Sequence, residues 1–154
     1  MLHTLYIGDV LLADALYCSY FVIATLQRLG VDVVFEQHDS RTTDFRRGQR
    51  LGVRDHRVTW NRPARPIGMT PEQHQVFPVT LTLREVDVGG KILVTTLIDP
   101  RDVHKKSLIQ VFALFFTLAI DQNILDNLLF GFNIRCLPGS DEILRTQYYL
   151  WQMP

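Results

Sequence analysis

Between residues 9 and 35, an apolar run, an amphipathic segment and a second apolar run follow with almost no spare chain, and this order restricts the fold more than any other feature. Asp9-Val-Leu-Leu-Ala-Asp14 is apolar between two acids, the pattern of a strand buried on both faces. Ser19 to Leu29 predicts a helix, because Tyr20, Phe21, Ile23, Ala24 and Leu26 give it a broad apolar face. Gly30 suits the position just past its end. Val31-Asp-Val-Val-Phe35 is β-branched and apolar, a second strand. Strand, helix and strand in this order pack as parallel strands joined by a right-handed crossover.

From Ser40 to Gly68 the character changes. Arg41, Arg46, Arg47, Arg50, Arg54, Arg57, Arg62 and Arg65 crowd a segment whose only acids are Asp44 and Asp55. Pro63 and Pro66 prevent long helices there. Val79 to Val88 alternates as a strand, with Val79, Leu81 and Leu83 on one side. Gly89-Gly90 is a hairpin turn, and Lys91 to Ile98 is the return strand, ended by Asp99-Pro100. Ser107 is a candidate N-cap for a helix running to about Leu129, with Gly131 as its stop. Pro138-Gly139 is a turn, and a last short helix begins at Ser140. A parallel core followed by an antiparallel segment and a helix defines an α/β protein.

Zero net charge over 154 residues excludes a partner chosen by bulk charge, and the length suits one domain with a sizeable core. Cys18 and Cys136 show no zinc-ligand or redox spacing and read as core thiols of a reducing compartment. The N-terminus has no cationic, apolar leader pattern. The one membrane candidate is Val111 to Asp126, VFALFFTLAIDQNILD. A span needs about 20 apolar residues, and Asp121 and Asp126 interrupt this one, so a buried helix in a cytoplasmic protein is expected.

Asp14 ends the first strand, where open α/β sheets place ligands. It reads either as a hard-cation ligand or as a cap for the helix that follows. Asp9 lies at the other end of that strand, roughly 15 Å away by strand rise, and cannot share a metal with it. The arginine block reads either as a phosphate-tracking surface or as a solvated loop. Trp60 reads either as a base-stacking platform or as a strand residue over a small core. The five histidines show no metal spacing, and no Ser-His-Asp set, P-loop or dinucleotide fingerprint is present.

Gly8 to Phe21, GDVLLADALYCSYF, closely resembles a stretch of the DDE-type transposases of bacterial insertion sequences, in the family numbered four, where the run reads GDVLLADRYYCSYF. The resemblance continues through LGVDVVFEQHDSRTTDFRRGQRLGVRDH and LVTTLIDP, and spans Gly8 to Leu108. It implies a ribonuclease-H-like fold whose three carboxylates hold two Mg²⁺ ions for cleavage and transfer of DNA ends. Asp14 then takes the place of the second carboxylate, as catalytic residue and metal ligand. The arginine-rich segment matches an insert that faces DNA, with Arg46, Arg47 and Arg50 as the expected phosphate contacts. The implied divisions are a βαβ core over 1–38, an arginine-rich, β-rich insert over 39–100 and a helical part over 101–154.

Three departures accompany the resemblance. Ala15 stands where the family has arginine. The first carboxylate belongs on a strand well upstream of Gly8. Family members carry Tyr-x2-Arg-x3-Glu-x6-Lys on a helix after LVTTLIDP, and the ungapped register places Phe112, Phe115, Ala119 and Asp126 at those positions. A shifted register would make Asp121 the acid, but it points about 200° around the helix from Ala119. The resemblance thus implies an incomplete transposase without strand transfer, the product of decay or of a reading-frame change. A non-catalytic DNA-binding or dominant-negative fragment, dimerising with full-length transposase, is the alternative. A translated pseudogene without function is the third reading, and missing opening strands would then leave an exposed sheet edge.

Overall fold

Parallel pairing of the two apolar runs sets the centre of the fold. In the structure, a computed structural model, residues 5–121, 130–135 and 145–150 are described, with side chains as far as Leu114. Strand β1 (Asp9–Ala13) and strand β2 (Asp32–Glu36) run parallel, with Val10 opposite Asp32 and Ala13 opposite Phe35. Helix α1 (Tyr20–Arg28) joins them and starts where the Ser19 hydroxyl accepts from the Val22 N–H at 3.3 Å. Its end is a Schellman turn. Val31 N–H donates to the Leu26 carbonyl and Gly30 N–H to the Gln27 carbonyl, both at 3.0 Å, with Gly30 at φ +73°.

The antiparallel segment is part of the same sheet. It comprises β3 (Gln49–Gly52), β4 (Asp55–Asn61), the short helix α2 (Pro71–Gln75), β5 (Thr80–Asp87) and β6 (Ile92–Thr95). β6 pairs antiparallel with β2, Val94 opposite Phe35, so the expected insert continues the core sheet. The Gly89-Gly90 turn forms as expected, with both glycines at positive φ, and the Asp87 carboxylate accepts from Gly90 N–H at 2.9 Å. That bond, with Arg54 beside it, holds the Asp87 carboxyl below its ordinary range. Val79 departs from expectation: it precedes β5 and is exposed, whereas Leu81 and Leu83 are buried. The β3–β4 pair and α2, capped by reciprocal Thr70 and Gln73 bonds, had no counterpart in the sequence reading.

Helix α3 (Lys105–Asp121) begins two residues before Ser107, so the expected N-cap lies inside it, and the His104 carbonyl accepts from Ser107 and Leu108. Its expected continuation to Leu129 lies outside the described residues beyond Asp121, as do Asp126, Cys136 and the Pro138-Gly139 turn. Gly131, expected as a stop, sits within β7 (Phe130–Arg135), and β8 (Arg145–Leu150) takes residues where a short helix beginning at Ser140 was expected. Both strands fall in the part expected to be helical. β7 pairs antiparallel with β1, giving an eight-stranded order β3–β4–β5–β6–β2–β1–β7–β8. The edge of β1, expected to be exposed, is therefore covered by β7. No helix among the described residues is long and apolar enough to cross a membrane.

The sheet is mixed and buries both faces, which makes the architecture α/β. On one face Ala13, Val33, Phe35, Leu83 and Val94 pack with Ile23, Ala24 and Leu26 of α1. On the other, Val10, Leu12, Val34, Val86 and Leu93 pack with Leu108 and Phe112 of α3. Each such side chain contributes roughly 1.5–3 kcal/mol by leaving water. This second face also buries a charge. Arg84, 1% exposed, donates to both Asp55 oxygens at 2.8 and 2.6 Å and to the Val103 carbonyl at 2.7 Å. Asp55→Ala would strand that guanidinium, and urea unfolding should register a loss of about 3–5 kcal/mol.

Candidate nucleic-acid interface

Asp14 follows β1 directly, at the carboxyl end of the parallel pair. Its carboxylate accepts from the Leu16 N–H at 2.9 Å and caps the 3₁₀ turn Ala15–Tyr17. The capping role read from the sequence is therefore present, on this turn, while Ser19 caps α1. Burial, and then the charge of Asp14, raise the Tyr17 hydroxyl above its ordinary value. Among the described residues no three His, Cys, Asp or Glu side chains converge. Asp9 is occupied at the far end of β1, where it accepts from Tyr6 N–H at 2.7 Å. Ala119 falls on α3. The described residues thus do not fit a two-Mg²⁺ centre around Asp14.

The arginine loop leaves from the same end of the sheet. It runs from Gln37, just after β2, to Gly48, just before β3. Gln37 and Thr43 exchange hydrogen bonds at 2.9 and 3.0 Å and fix its first half. At its other end Gly48 has φ +72°, and a Cβ there would overlap the Arg57 carbonyl oxygen. Arg46 donates to Asp44 from Nε and Nη2 at 2.8 and 3.1 Å, and Arg47 approaches the same carboxylate at 3.5 Å. These bonds hold the Asp44 carboxyl down at about 2. Both arginines are almost wholly exposed, so the clasp contributes little to stability and leaves both cations open to a phosphate. Arg50 is exposed on β3, with Nε on the Gly52 carbonyl at 3.3 Å.

Arg41, Arg54, Arg62 and Arg65 are occupied in the fold, whereas Arg57 Nε is buried without a hydrogen-bond partner. Arg41 lies over the Trp60 ring at 3.6 Å. Arg54 pairs with Asp87. Arg62 donates to the His74 and Phe77 carbonyls at 3.0 and 2.7 Å, and Arg65 to the Met69 carbonyl. Trp60 is buried on β4, which supports the strand reading and leaves no open face for a base. Cys18 packs beneath the loop, and burial pushes its thiol up to about 11, so it is inert at neutral pH.

Sequence reasoning missed the group under the loop. Glu85, buried on β5, accepts from Trp60 Nε1–H at 2.8 Å on one oxygen and meets His56 Nε2 at 2.9 Å on the other. Its signal was there: alternation from Leu81 and Leu83 places Glu85 on the apolar face, where a carboxylate needs donors. An open depression of about 580 Å³, lined by Arg28, Met69, Gln73 and Phe77 among others, includes neither Asp14 nor the arginine loop.

No protein-family model, curated protein or solved structure matches the chain.

Two outcomes follow from this geometry. As pH falls toward 2, Asp44 gains a proton and the Asp44–Arg46 clasp opens, because a carboxyl held low keeps its interaction only above that value. Carboxyl NMR titration should place its midpoint near 2, and Arg46→Ala should return it toward 3.8. Gly48→Ala should cost about 1–3 kcal/mol in chemical denaturation and displace the loop.

Proposed function

We propose that this chain is part of the ribonuclease-H-like catalytic domain of a DDE-type transposase of insertion-sequence family four, acting in the cytoplasm, and that its strand-transfer chemistry is lost. The observation that carries the reading is the placement of Asp14. It ends the apolar strand of the family-like run Gly8 to Phe21, beside a parallel partner, with the arginine loop leaving the same end of the sheet. The strand–helix–strand unit, the antiparallel segment and then α3 follow in the order the family requires.

Loss of chemistry rests on what stands at the aligned positions. Phe112 takes the tyrosine position and is buried against the sheet, and Ala119 takes the glutamate position. Catalytic carboxylates that share two metals act as a unit, and losing one removes most of the rate. The family's Mg²⁺ would activate the attacking hydroxyl and stabilise the leaving oxygen; the described residues do not assemble its site.

The exposed Arg46, Arg47 and Arg50 favour a second reading, a non-catalytic DNA-binding or dominant-negative fragment that pairs with full-length transposase. Arginine forks suit phosphate oxygens, and each neutralised phosphate releases counterions.

An assay with Mg²⁺ and matching element ends should give neither cleavage nor joining; product that disappears in Asp14→Ala would overturn the inactive reading. Binding to duplex DNA should weaken with salt. Arg46→Ala, Arg47→Ala and Arg50→Ala should each lower the log–log slope by about 1. A flat salt response would remove both DNA readings.

A further inference from the structure

Glu85 touches no arginine of the exposed set, yet three contacts between the arginine loop and β4 pass through its two partners. His56 and Trp60 lie on one face of β4, and Glu85 meets them from β5, where it stands directly opposite His56. Three points of the loop rest on them. The Arg47 carbonyl meets His56 Nδ1 at 2.7 Å. The Phe45 ring lies against the His56 ring at 4.8 Å. The Arg41 guanidinium covers the Trp60 ring at 3.6 Å. A carbonyl only accepts, so His56 Nδ1 carries a proton and donates to Arg47. Nε2 faces a carboxylate, so a second proton lies between His56 and Glu85.

We propose that Glu85 is the positioning residue of the arginine loop, orienting His56 and Trp60 so that Arg46 and Arg47 are presented together for phosphate contact. The phosphate-contact clause rests on the DNA reading above; the positioning clause does not. Elsewhere the loop is held by the Gln37–Thr43 bonds in its first half, by Gln37 N–H on the Ile92 carbonyl at 2.7 Å and by Arg54 over the Phe45 ring at 5.0 Å, while Arg46 and Arg47 point to solvent. Through Glu85 one buried carboxylate sets the ring orientation at one loop contact and the platform at another. The neighbouring charge of Arg41 and the Cys18 thiol complete the surroundings on this face.

Glutamine in place of Glu85 distinguishes positioning from charge. Its oxygen can accept from Trp60 and its amide can donate to a neutral His56 Nε2, while Nδ1–H still donates to Arg47. Leucine can do neither. Hydrogen–deuterium exchange read by mass spectrometry reports the loop, 39–48, and the core strands β1 and β2 in one experiment. Expected for Glu85→Leu is loop exchange faster by about tenfold with core protection kept, together with weaker duplex binding. Glu85→Gln should match the parent protein in both. Arg41→Ala removes an exposed contact only, and should also loosen the loop, so the test stands even where Glu85→Leu unfolds. Unchanged loop exchange in Arg41→Ala and Glu85→Leu would overturn the proposal, as would a Glu85→Gln loop as mobile as that of Glu85→Leu. A loosened loop with unchanged DNA affinity would overturn the phosphate-contact reading and leave Glu85 as the loop's positioning residue.

Discussion

Parallel pairing of β1 with β2 is the constraint from which the rest of the molecule follows. Parallel neighbours cannot be joined by a tight turn, so a crossover segment must cover one face. Both strands are apolar on both sides, so the other face must be covered as well. Helix α1 meets the first demand and α3 the second. The strand edges need partners too: β6 takes the outer edge of β2 and β7 that of β1. Because the pair is parallel, Asp14 and the start of the arginine loop emerge at one end, and this brings together residues that the sequence separates.

The two faces of the sheet treat charge differently. Beneath α3, Arg84 and Asp55 satisfy one another in a bidentate pair completed by the Val103 carbonyl. That arrangement ties the segment before α3 to β5 and β4. On the α1 face, Glu85 meets no arginine or lysine and is satisfied by Trp60 Nε1–H and His56 Nε2. Both carboxylates are spared the cost of desolvation only by specific donors. The sheet therefore carries two fixed polar anchors, one for the chain entering α3 and one for the arginine loop.

What the sequence disclosed was whatever depended on local alternation. The strand–helix–strand unit and the Gly89-Gly90 hairpin are written in apolar period, caps and turn residues, and their limits fell within a few residues of expectation. β3 was invisible because Gln49 and Arg50 are exposed edge residues with no apolar rhythm. α2 is a single capped turn, and Thr70-Pro71 with Gln73 was its only signal. That β6 continues the core sheet was not legible, since pairing with β2 spans distant chain and leaves no local mark. Asp14 was legible as an acid ending a buried strand, but not as the cap of a 3₁₀ turn. The Glu85–His56–Trp60 group required cross-strand register, which only the folded sheet supplies.

Edge strand β3 has a consequence of its own. Unpaired backbone groups along a sheet margin invite another chain to add on. Here that margin is four residues long, carries Arg50, and is broken by a register shift between Arg50 and Gly52. Charge repels a like copy and the irregularity denies it a straight template. The guanidinium that suits a polyanion thus also deters self-association, and a chain neutralised along this border would trade solubility for lost charge.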